Sequence, residues 1–456
     1  MTRNYAIMPA RPELLLPAGT LKNMRYAFAY GADAIYAGQP RYSLRVRNND
    51  FTLENLQTGI DEAHRQGKKF FLTSNLMPHN AKLKTYLADM EPVIAMGPDA
   101  LIMADPGLIM MVRERWPEMP VHLSVQANTV NWAAVKFWQS LGIERIILSR
   151  ELSLDEIEEI RQQCPEIELE VFVHGALCIA YSGRCLLSGY FNHRDPNQGT
   201  CTNSCRWQYN MQSSADNDCG DAQKIEFDAF AAMQQDMPMD SKKIERHPLA
   251  DQVYLIEEQG RPGELMPILE DEHGTYIMNS RDLRAIRHIE RLTQMGIDSF
   301  KIEGRTKSHY YVARTAQIYR QAIDDAVAGQ TFDPQLLNKL DGLANRGYTE
   351  GFYQRHADQA YQNYLSGHSV SHAQKFVGEI QGYDEQRGLA EILVKNKFGR
   401  GDRLEIINPA GNHELQLEHM EDLHGKPMQE APGGGYQVRI PLPPAHYERA
   451  LIAKYL

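Results

Sequence analysis

The feature that most constrains the fold is a pattern that recurs between Glu13 and about Arg305. A short apolar run ends in small or polar residues, an amphipathic segment follows, and the pattern then begins again. Apolar runs alternating with helical segments predict a parallel sheet that is covered by helices. The predicted strands are Glu13–Pro17, Asp33–Tyr36, Lys69–Thr73, Ala100–Met103, Val121–Val125, Ile146–Leu148, Leu169–Val173 and Phe300–Ile302.

Eight such units predict an α/β fold of the closed (β/α)8, TIM-like barrel type. A doubly wound open sheet is the alternative. Its dinucleotide-binding form has no support, because no G-x-G-x-x-G follows the first strand.

The pattern fails in two places, which divide the chain. Residues 207–273 are largely polar, and the runs near the C-terminus are short, alternating and split by glycine and proline. Such runs predict a small β-barrel. We therefore predict a barrel domain over residues 1–330 with a Cys-rich loop at 174–206 and an insertion at 207–273, a connecting segment at 331–373, and a C-terminal β-barrel domain at 374–456.

Composition limits the class of protein. The chain has 456 residues, 43% of them apolar, and no apolar run approaches the ~18 residues that a membrane helix needs. The first residues do not resemble a signal peptide, so we expect a reducing, cytoplasmic location. A net charge of −11 argues against a general nucleic-acid coat. It does not exclude a local basic patch, and the candidate for such a patch is Lys395–Arg403.

Four of the six cysteines fall within Glu170–Cys205: Cys178, Cys185, Cys201 and Cys205. They have three interpretations: buried structural thiols, disulfides, or ligands of a metal or cluster. Disulfides need an oxidising compartment. Zinc sites favour paired C-x2-4-C knuckles, which only Cys201 and Cys205 approach. The looser spacing on a long loop favours an iron–sulfur cluster, and the radical-SAM triplet is absent.

If the barrel is correct, the carboxyl ends of its strands carry the chemistry. Arginines follow several predicted strands, and a guanidinium binds a carboxylate through two parallel hydrogen bonds. They suit a substrate with two carboxylates or a phosphate, although pairing with Glu151 and Glu303 is the structural alternative. The predicted substrate-binding residues are Arg45, Arg47, Asn75, Gln126, Arg150 and Arg305. His174, Arg150 and Glu303 are the predicted catalytic residues, with a buried structural role as the alternative for His174.

Several stretches carry a resemblance to a known family. They are E-L-L-L-P-A-G from Glu13, E-V-F-V-H-G-A-L-C-I-A-Y-S-G-R-C-L-L-S from Glu170, G-T-C-T-N-S-C-R-W, M-N-S-R-D-L from Met278 and K-I-E-G-R from Lys301. From about Glu13 to the C-terminus the chain resembles the U32 family, whose members were long labelled peptidases or collagenases.

The resemblance implies a function. It is strongest to bacterial members that hydroxylate carbon 5 of the tRNA wobble uridine without O2 and with prephenate as co-substrate. It implies an iron–sulfur cluster, of the 4Fe–4S type, on Cys178, Cys185, Cys201 and Cys205, with Cys219 as the only substitute for the fourth ligand. The implied partner is the anticodon loop of tRNA. Prephenate carries two carboxylates, which agrees with the predicted arginines.

Other functions remain open. Another U32 activity, on ribosomal RNA or on a quinone precursor, is one alternative, and a metallopeptidase is a second. A metallopeptidase needs H-E-x-x-H or a comparable water-activating trio. The sequence contains neither that motif nor the G-x-S-x-G elbow of serine hydrolases. A zinc module that binds RNA without catalysis is a third.

Overall fold

The computed structural model describes residues 11–44, 51–177, 281–345, 347–354 and 373–456, together with strands between 209 and 275. The N-terminal part alternates strands and helices as predicted. Its strands are β1 (Glu13–Ala18), β2 (Ala34–Gly38), β3 (Lys69–Ser74), β4 (Ala100–Met103), β5 (Val121–Leu123), β6 (Arg145–Ile147) and β7 (Glu168–Ala176). Its helices are α1 (Leu21–Ala29), α2 (Leu53–Arg65), α3 (Asn80–Ala95), α4 (Pro106–Arg115), α5 (Trp132–Ser140) and α6 (Leu154–Gln163).

Short polar residues begin five of these six helices, and α3 is the exception. Thr20, Thr52, Asp105 and Asn131 each accept a hydrogen bond from a backbone N–H in the first turn. Ser153 and Glu156 form a reciprocal capping box at the start of α6. These contacts satisfy donors that the helix itself leaves unpaired, and so they fix where each helix leaves the sheet.

The chain then departs from the barrel and returns to it. The departing strands are β8 (Tyr209–Asp216), β9 (Ala222–Lys224), β10 (Tyr254–Glu258), β11 (Leu265–Ile268), β12 (Glu270–Asp271) and β13 (Gly274–Thr275). The elements that follow are β14 (Asp282–Arg284), α7 (Ile289–Gln294), β15 (Ser299–Ile302), α8 (His309–Val327), α9 (Gln335–Asp341) and β16 (Tyr348–Thr349). Strands β8, β9, β10 and β11 form a separate antiparallel sheet.

Strand β15 closes the barrel. It pairs in parallel with β1 on one side and with β7 on the other, while β1 to β7 pair in sequence order. Leu14, Leu15 and Leu16 are fully buried because both faces of β1 are covered. The prediction of a closed eight-stranded barrel is confirmed. We call the carboxyl ends of its eight strands the rim, and the opposite end the amino end.

The C-terminal part is an antiparallel sheet that curls around its own core, which includes Val377, Ile392, Phe398 and Leu404. Its main strands run in the spatial order β21-β20-β25-β17-β18-β24-β22. The strands are β17 (Gln374–Asp384), β18 (Leu389–Val394), β19 (Phe398–Gly399), β20 (Arg403–Ile407), β21 (His413–Gln416), β22 (Glu421–Asp422), β23 (Glu430–Ala431), β24 (Gln437–Pro441) and β25 (Leu451–Tyr455).

This sheet packs on α1 and α8 of the barrel through polar contacts, some of which are buried. Arg314 on α8 forms a two-pronged ion pair with Glu405 on β20, with N–O distances of 2.8 and 2.7 Å. The Tyr30 hydroxyl lies 2.7 Å from the Ile407 carbonyl oxygen. Lys22 on α1 pairs with Glu379 at 2.6 Å. Among the described helices, none has the length and apolar character that crossing a membrane requires.

Candidate active site

Several charged side chains lie in the interior of the barrel. Side chains alternate along a strand, so the K-I-E-G-R motif places Lys301, Glu303 and Arg305 in a period of two. On the neighbouring β7, Glu170 and Phe172 share that face. The Lys301 Nζ lies 2.7 Å from Glu170 Oε1, and both residues are buried. Burial lowers the pKa of Lys301, and the adjacent Glu170 carboxylate opposes that shift.

The amino end of the barrel is held by an ion-pair network around Arg145, the first residue of β6. Its guanidinium lies 2.5 Å from Glu13, 2.7 Å from Glu168 and 3.2 Å from Glu170. A cavity of about 390 Å³ opens beside this network. The cations and carboxylates there pair with one another, which gives this end the character of a structural support.

At the rim, Arg150 is fixed by two contacts. Its guanidinium carbon lies 3.5 Å from the centre of the Phe172 ring, and its Nη2 lies 3.2 Å from Glu303 Oε2. Stacking on an aromatic face and pairing with a carboxylate both restrict the planar guanidinium. The structure therefore brings Arg150 and Glu303, two of the predicted catalytic residues, into direct contact.

Arg305 also lies at the rim, but its described hydrogen bonds are to hydroxyl groups. Its Nη1 lies 2.7 Å from Ser43 Oγ and 3.0 Å from Thr73 Oγ1. The Tyr36 ring lies below it, with 5.8 Å between the ring centre and the guanidinium carbon. Arg305 and its two hydroxyl partners are buried.

Asn75 and Gln126 lie at the ends of β3 and β5. The Asn75 side-chain oxygen accepts a hydrogen bond from the backbone of Leu44 at 3.1 Å, so it ties the segment after β2 to the rim. Gln126 lies buried in a 3-10 turn at Val125–Ala127, and its Nε2 has no hydrogen-bond partner among the described residues. A buried donor in that state is a candidate for contact with a ligand or an ordered water.

His174 occupies a different environment from the rim arginines. Its ring is 1% exposed and packs against Tyr311, Tyr319 and Tyr348, with centroid distances between 5.4 and 5.8 Å. Burial lowers the pKa of His174 to about 3. Its contacts are those of a neutral structural histidine, which was the alternative interpretation, and its catalytic role stays a prediction.

A β-bulge explains why His174 leaves the pattern of Glu170 and Phe172. The register between β7 and β15 shifts at Lys301 and Ile302, so Ile302 pairs with His174 and not with Val173. The shift changes which side of the sheet the following residues face. An alternating sequence pattern takes no account of such a bulge. It therefore predicts that the His174 side chain points into the barrel, as Glu170 and Phe172 do.

Two glycines allow the strand ends to approach closely. A Cβ on Gly175, whose φ is +108°, would lie 2.4 Å from the Glu303 carbonyl oxygen. A Cβ on Gly304, whose φ is +153°, would lie 2.6 Å from the Tyr311 ring. The glycines of H-G-A and K-I-E-G-R are therefore required by backbone conformation and by space.

Several predicted residues lie outside the described parts of the structure. They are Arg45, Arg47, Cys178, Cys185, Cys201, Cys205 and the substitute Cys219. Leu177 is the last described residue before Cys178 and directly follows the end of β7. The described chain therefore stops at the rim, one residue before Cys178.

The candidate basic patch of the C-terminal sheet is balanced by acids. Lys395 pairs with Glu379 at 3.1 Å, Lys397 pairs with Glu430 at 2.7 Å, and Arg403 pairs with Glu414. These pairs reduce the positive potential that phosphate attraction needs.

Sequence reasoning missed Ser43, Thr73 and Phe172 as rim residues. For Phe172 a signal was present, because it lies two residues from Glu170 on one strand. For Thr73 the signal was the alternation of side chains along β3, which places Thr73 on the same face as Phe71. No comparable signal marks Ser43, because it lies on an irregular segment after β2.

Comparison with known proteins agrees with this arrangement. Residues 19–363 match the description "Peptidase family U32", and residues 372–453 match "Peptidase family U32 C-terminal domain". The chain is 64% identical to tRNA hydroxylation protein P of Escherichia coli K12 over 95% of this chain and 94% of that protein. It is 58% identical to the protein of that name in Haemophilus influenzae, over 95% and 94% of the two chains. It is 34% identical to tRNA hydroxylation protein P1 of Bacillus subtilis, over 88% and 85%.

Proposed function

Because the chain belongs to peptidase family U32, we propose that it is a tRNA-modifying enzyme that hydroxylates carbon 5 of the wobble uridine. The observation that carries this proposal is the 64% identity, over 95% of the chain, to a protein named for tRNA hydroxylation. A rim with largely buried arginines supports a catalytic site over a purely structural protein.

The proposed co-substrate is prephenate, in a reaction that does not need O2. Its two carboxylates require cations, and Arg150 and Arg305 lie after β6 and β15 at one end of the barrel. Both guanidinium groups are held in fixed orientations, so they would bind and orient a carboxylate with little reorganisation. Glu303, in contact with Arg150, is the candidate to hold or move a proton near the reacting atoms.

The proposed cofactor is an iron–sulfur cluster, whose ligands would be Cys178, Cys185, Cys201 and Cys205. A set of four thiolates fits such a cluster, and when bound it would supply redox or Lewis-acid chemistry. Anaerobic purification tests this directly. Brown protein with iron and acid-labile sulfide supports the cluster, whereas colourless protein with stoichiometric zinc would contradict it.

The proposed RNA partner is the anticodon loop of tRNA, which also implies a cytoplasmic location. The loop is single-stranded, so presenting its base to a pocket needs little unstacking energy. With a net charge of −11, the proposed phosphate contacts would have to lie on a local surface.

Mass spectrometry of nucleosides from a deletion strain tests the function. Wobble 5-hydroxyuridine derivatives should be lost in the deletion strain and restored by the wild-type gene. If these nucleosides were unchanged while a ribosomal RNA hydroxylation or a quinone intermediate was affected, tRNA hydroxylation would be the wrong activity.

A further inference from the structure

Arg305 is held by two hydroxyl groups that come from different parts of the barrel. Ser43 lies after β2, and Thr73 is the penultimate residue of β3. The two hydroxyl oxygens lie 2.9 Å apart, and both contact Nη1 of Arg305. Ser43 and Thr73 are 0% and 2% exposed. This arrangement joins three barrel strands around one cation.

The hydrogen atoms of this network have one consistent assignment. The Thr73 hydroxyl donates its single proton to the Ala37 carbonyl oxygen at 3.0 Å. Ser43 is then the donor in the contact between the two hydroxyls, and both oxygens present only lone pairs to Arg305. Both hydroxyl oxygens are therefore acceptors of hydrogen bonds from Nη1 of Arg305.

The arrangement fixes the orientation of the guanidinium. With Nη1 directed at Ser43 and Thr73, the edge formed by Nε and Nη2 is turned away from the hydroxyls. An oxyanion that meets Arg305 side-on would therefore do so through Nε and Nη2, which is the geometry of a two-pronged contact.

The two hydroxyls orient Arg305 without adding formal negative charge. Arg314 and Arg145 are buried arginines whose guanidinium groups meet carboxylates at 2.8 Å or less. The Ser43 and Thr73 hydroxyls contact Nη1 as neutral acceptors, so these two contacts do not themselves neutralise the charge of Arg305.

We propose that Ser43 and Thr73 are positioning residues that hold Arg305 to bind an oxyanion of the substrate. The oxyanion is either a carboxylate of the small co-substrate or a phosphate of the tRNA. This inference rests on the proposed function for the identity of the substrates, and on the hydrogen-bond network for the role of the two residues.

The test measures binding of two probes to the full-length, anaerobically prepared protein. Prephenate is titrated by calorimetry and unmodified tRNA by fluorescence anisotropy. The variants are Ser43→Ala, Thr73→Val and the double variant that combines them. Thr73→Ser is a fourth variant that keeps the hydroxyl at this position. The matched control is Ser74→Ala, because Ser74 is the next residue on β3, is equally buried, and contacts the Tyr86 hydroxyl at 2.9 Å.

We expect the double variant to bind one of the two probes at least about tenfold more weakly, because it loses two hydrogen bonds to the charged Arg305. Thr73→Ser should bind within about threefold of the wild type, and Ser74→Ala should match it. Weaker prephenate binding identifies the carboxylate, and weaker tRNA binding alone identifies the phosphate.

Other results would overturn the inference. Unchanged binding of both probes by the double variant would show that the hydroxyls do not position Arg305. An equal loss in Ser74→Ala would show a general packing effect. If the wild type bound tRNA but not prephenate, the co-substrate proposal would fail, and the tRNA titration would still decide the positioning role. A wild type that bound neither probe would overturn both.

Discussion

The largely buried arginines of this protein differ in what holds them. Arg145 and Arg314 contact carboxylates, Arg150 contacts both a carboxylate and an aromatic ring, and Arg305 contacts hydroxyls. Arg150 and Arg305 lie at the rim, whereas Arg145 lies at the amino end and Arg314 lies against the C-terminal sheet. Their place at the rim makes Arg150 and Arg305 the candidates for contact with a substrate.

Arg150→Lys tests the contribution of the planar guanidinium. Lysine keeps the charge but loses the stacking on Phe172 and the forked geometry, so the KM for prephenate should rise about tenfold with a smaller change in kcat. Arg115→Lys is the control, because Arg115 forms an exposed surface pair with Glu91. Equal kinetics for wild type and Arg150→Lys would remove Arg150 from the proposed binding site.

His174 gives a prediction about pH. Its pKa is about 3 in the folded protein because of burial, against about 6.5 in an unfolded chain, so the unfolded chain binds more protons between these values. The free energy of unfolding should therefore decrease as the pH falls below about 6.5, by roughly 2 kcal/mol from this residue at pH 5.

The measurement is denaturant unfolding at pH 7.5 and pH 5. His174→Gln should lose less stability between the two pH values than the wild type, whatever its stability at pH 7.5. His424→Gln, at an exposed position, should keep the wild-type difference. An identical pH dependence in His174→Gln would mean that the ring is not held neutral.

The ends of β7 and β15 are fixed by a set of buried tyrosines. Their hydroxyls lie between 2.5 and 2.9 Å from backbone carbonyl oxygens at the strand ends, and the pairs are Tyr36 with Ile302, Tyr311 with Glu303, Tyr319 with Val173 and Tyr353 with Phe172. These hydroxyls donate to carbonyl oxygens beside the bulge and so help to hold the strand ends in place.

Tyr311→Phe removes one of these donors from the backbone of Glu303. Leaving a buried carbonyl without its donor should lower the free energy of unfolding by about 1–3 kcal/mol and reduce hydroxylation, because Glu303 is displaced relative to Arg150. Tyr436→Phe, at a residue that is 53% exposed, is the control. Wild-type stability and activity in Tyr311→Phe would show that the tyrosine does not support the site.

Sequence periodicity predicted the strands well and their ends less well. Apolar runs such as Ala100–Met103 coincide with β4 because burial on both faces determines them. The end of a run is harder to locate, because the run predicted to reach Val125 ends as a strand at Leu123 and a 3-10 turn follows. The bulge beside His174 and the hydroxyls around Arg305 depend on contacts between distant segments, which periodicity does not encode.

The barrel and the C-terminal sheet are joined by buried charge. Glu405→Gln leaves Arg314 buried without its ionic partner, and loss of one member of such a pair destabilises by about 3–5 kcal/mol. We expect a lower unfolding midpoint and faster proteolysis between the barrel and the sheet. Glu414→Gln is matched to it, because it removes the partner of Arg403 from an exposed pair on the same sheet, and it should leave the midpoint unchanged. Equal changes of the unfolding midpoint in Glu405→Gln and Glu414→Gln would contradict the conclusion that the buried ion pair holds the barrel and the sheet together.

The most direct test compares the two ends of the barrel in the deletion strain. Strains carrying Arg305→Ala, at the rim, or Lys69→Ala, beside the cavity at the amino end, are compared with wild type by mass spectrometry of wobble uridines, with the amount of folded protein matched. We predict that Arg305→Ala abolishes 5-hydroxyuridine derivatives and that Lys69→Ala retains them. Full modification with Arg305→Ala, or its loss with Lys69→Ala alone, would contradict a reaction at the rim.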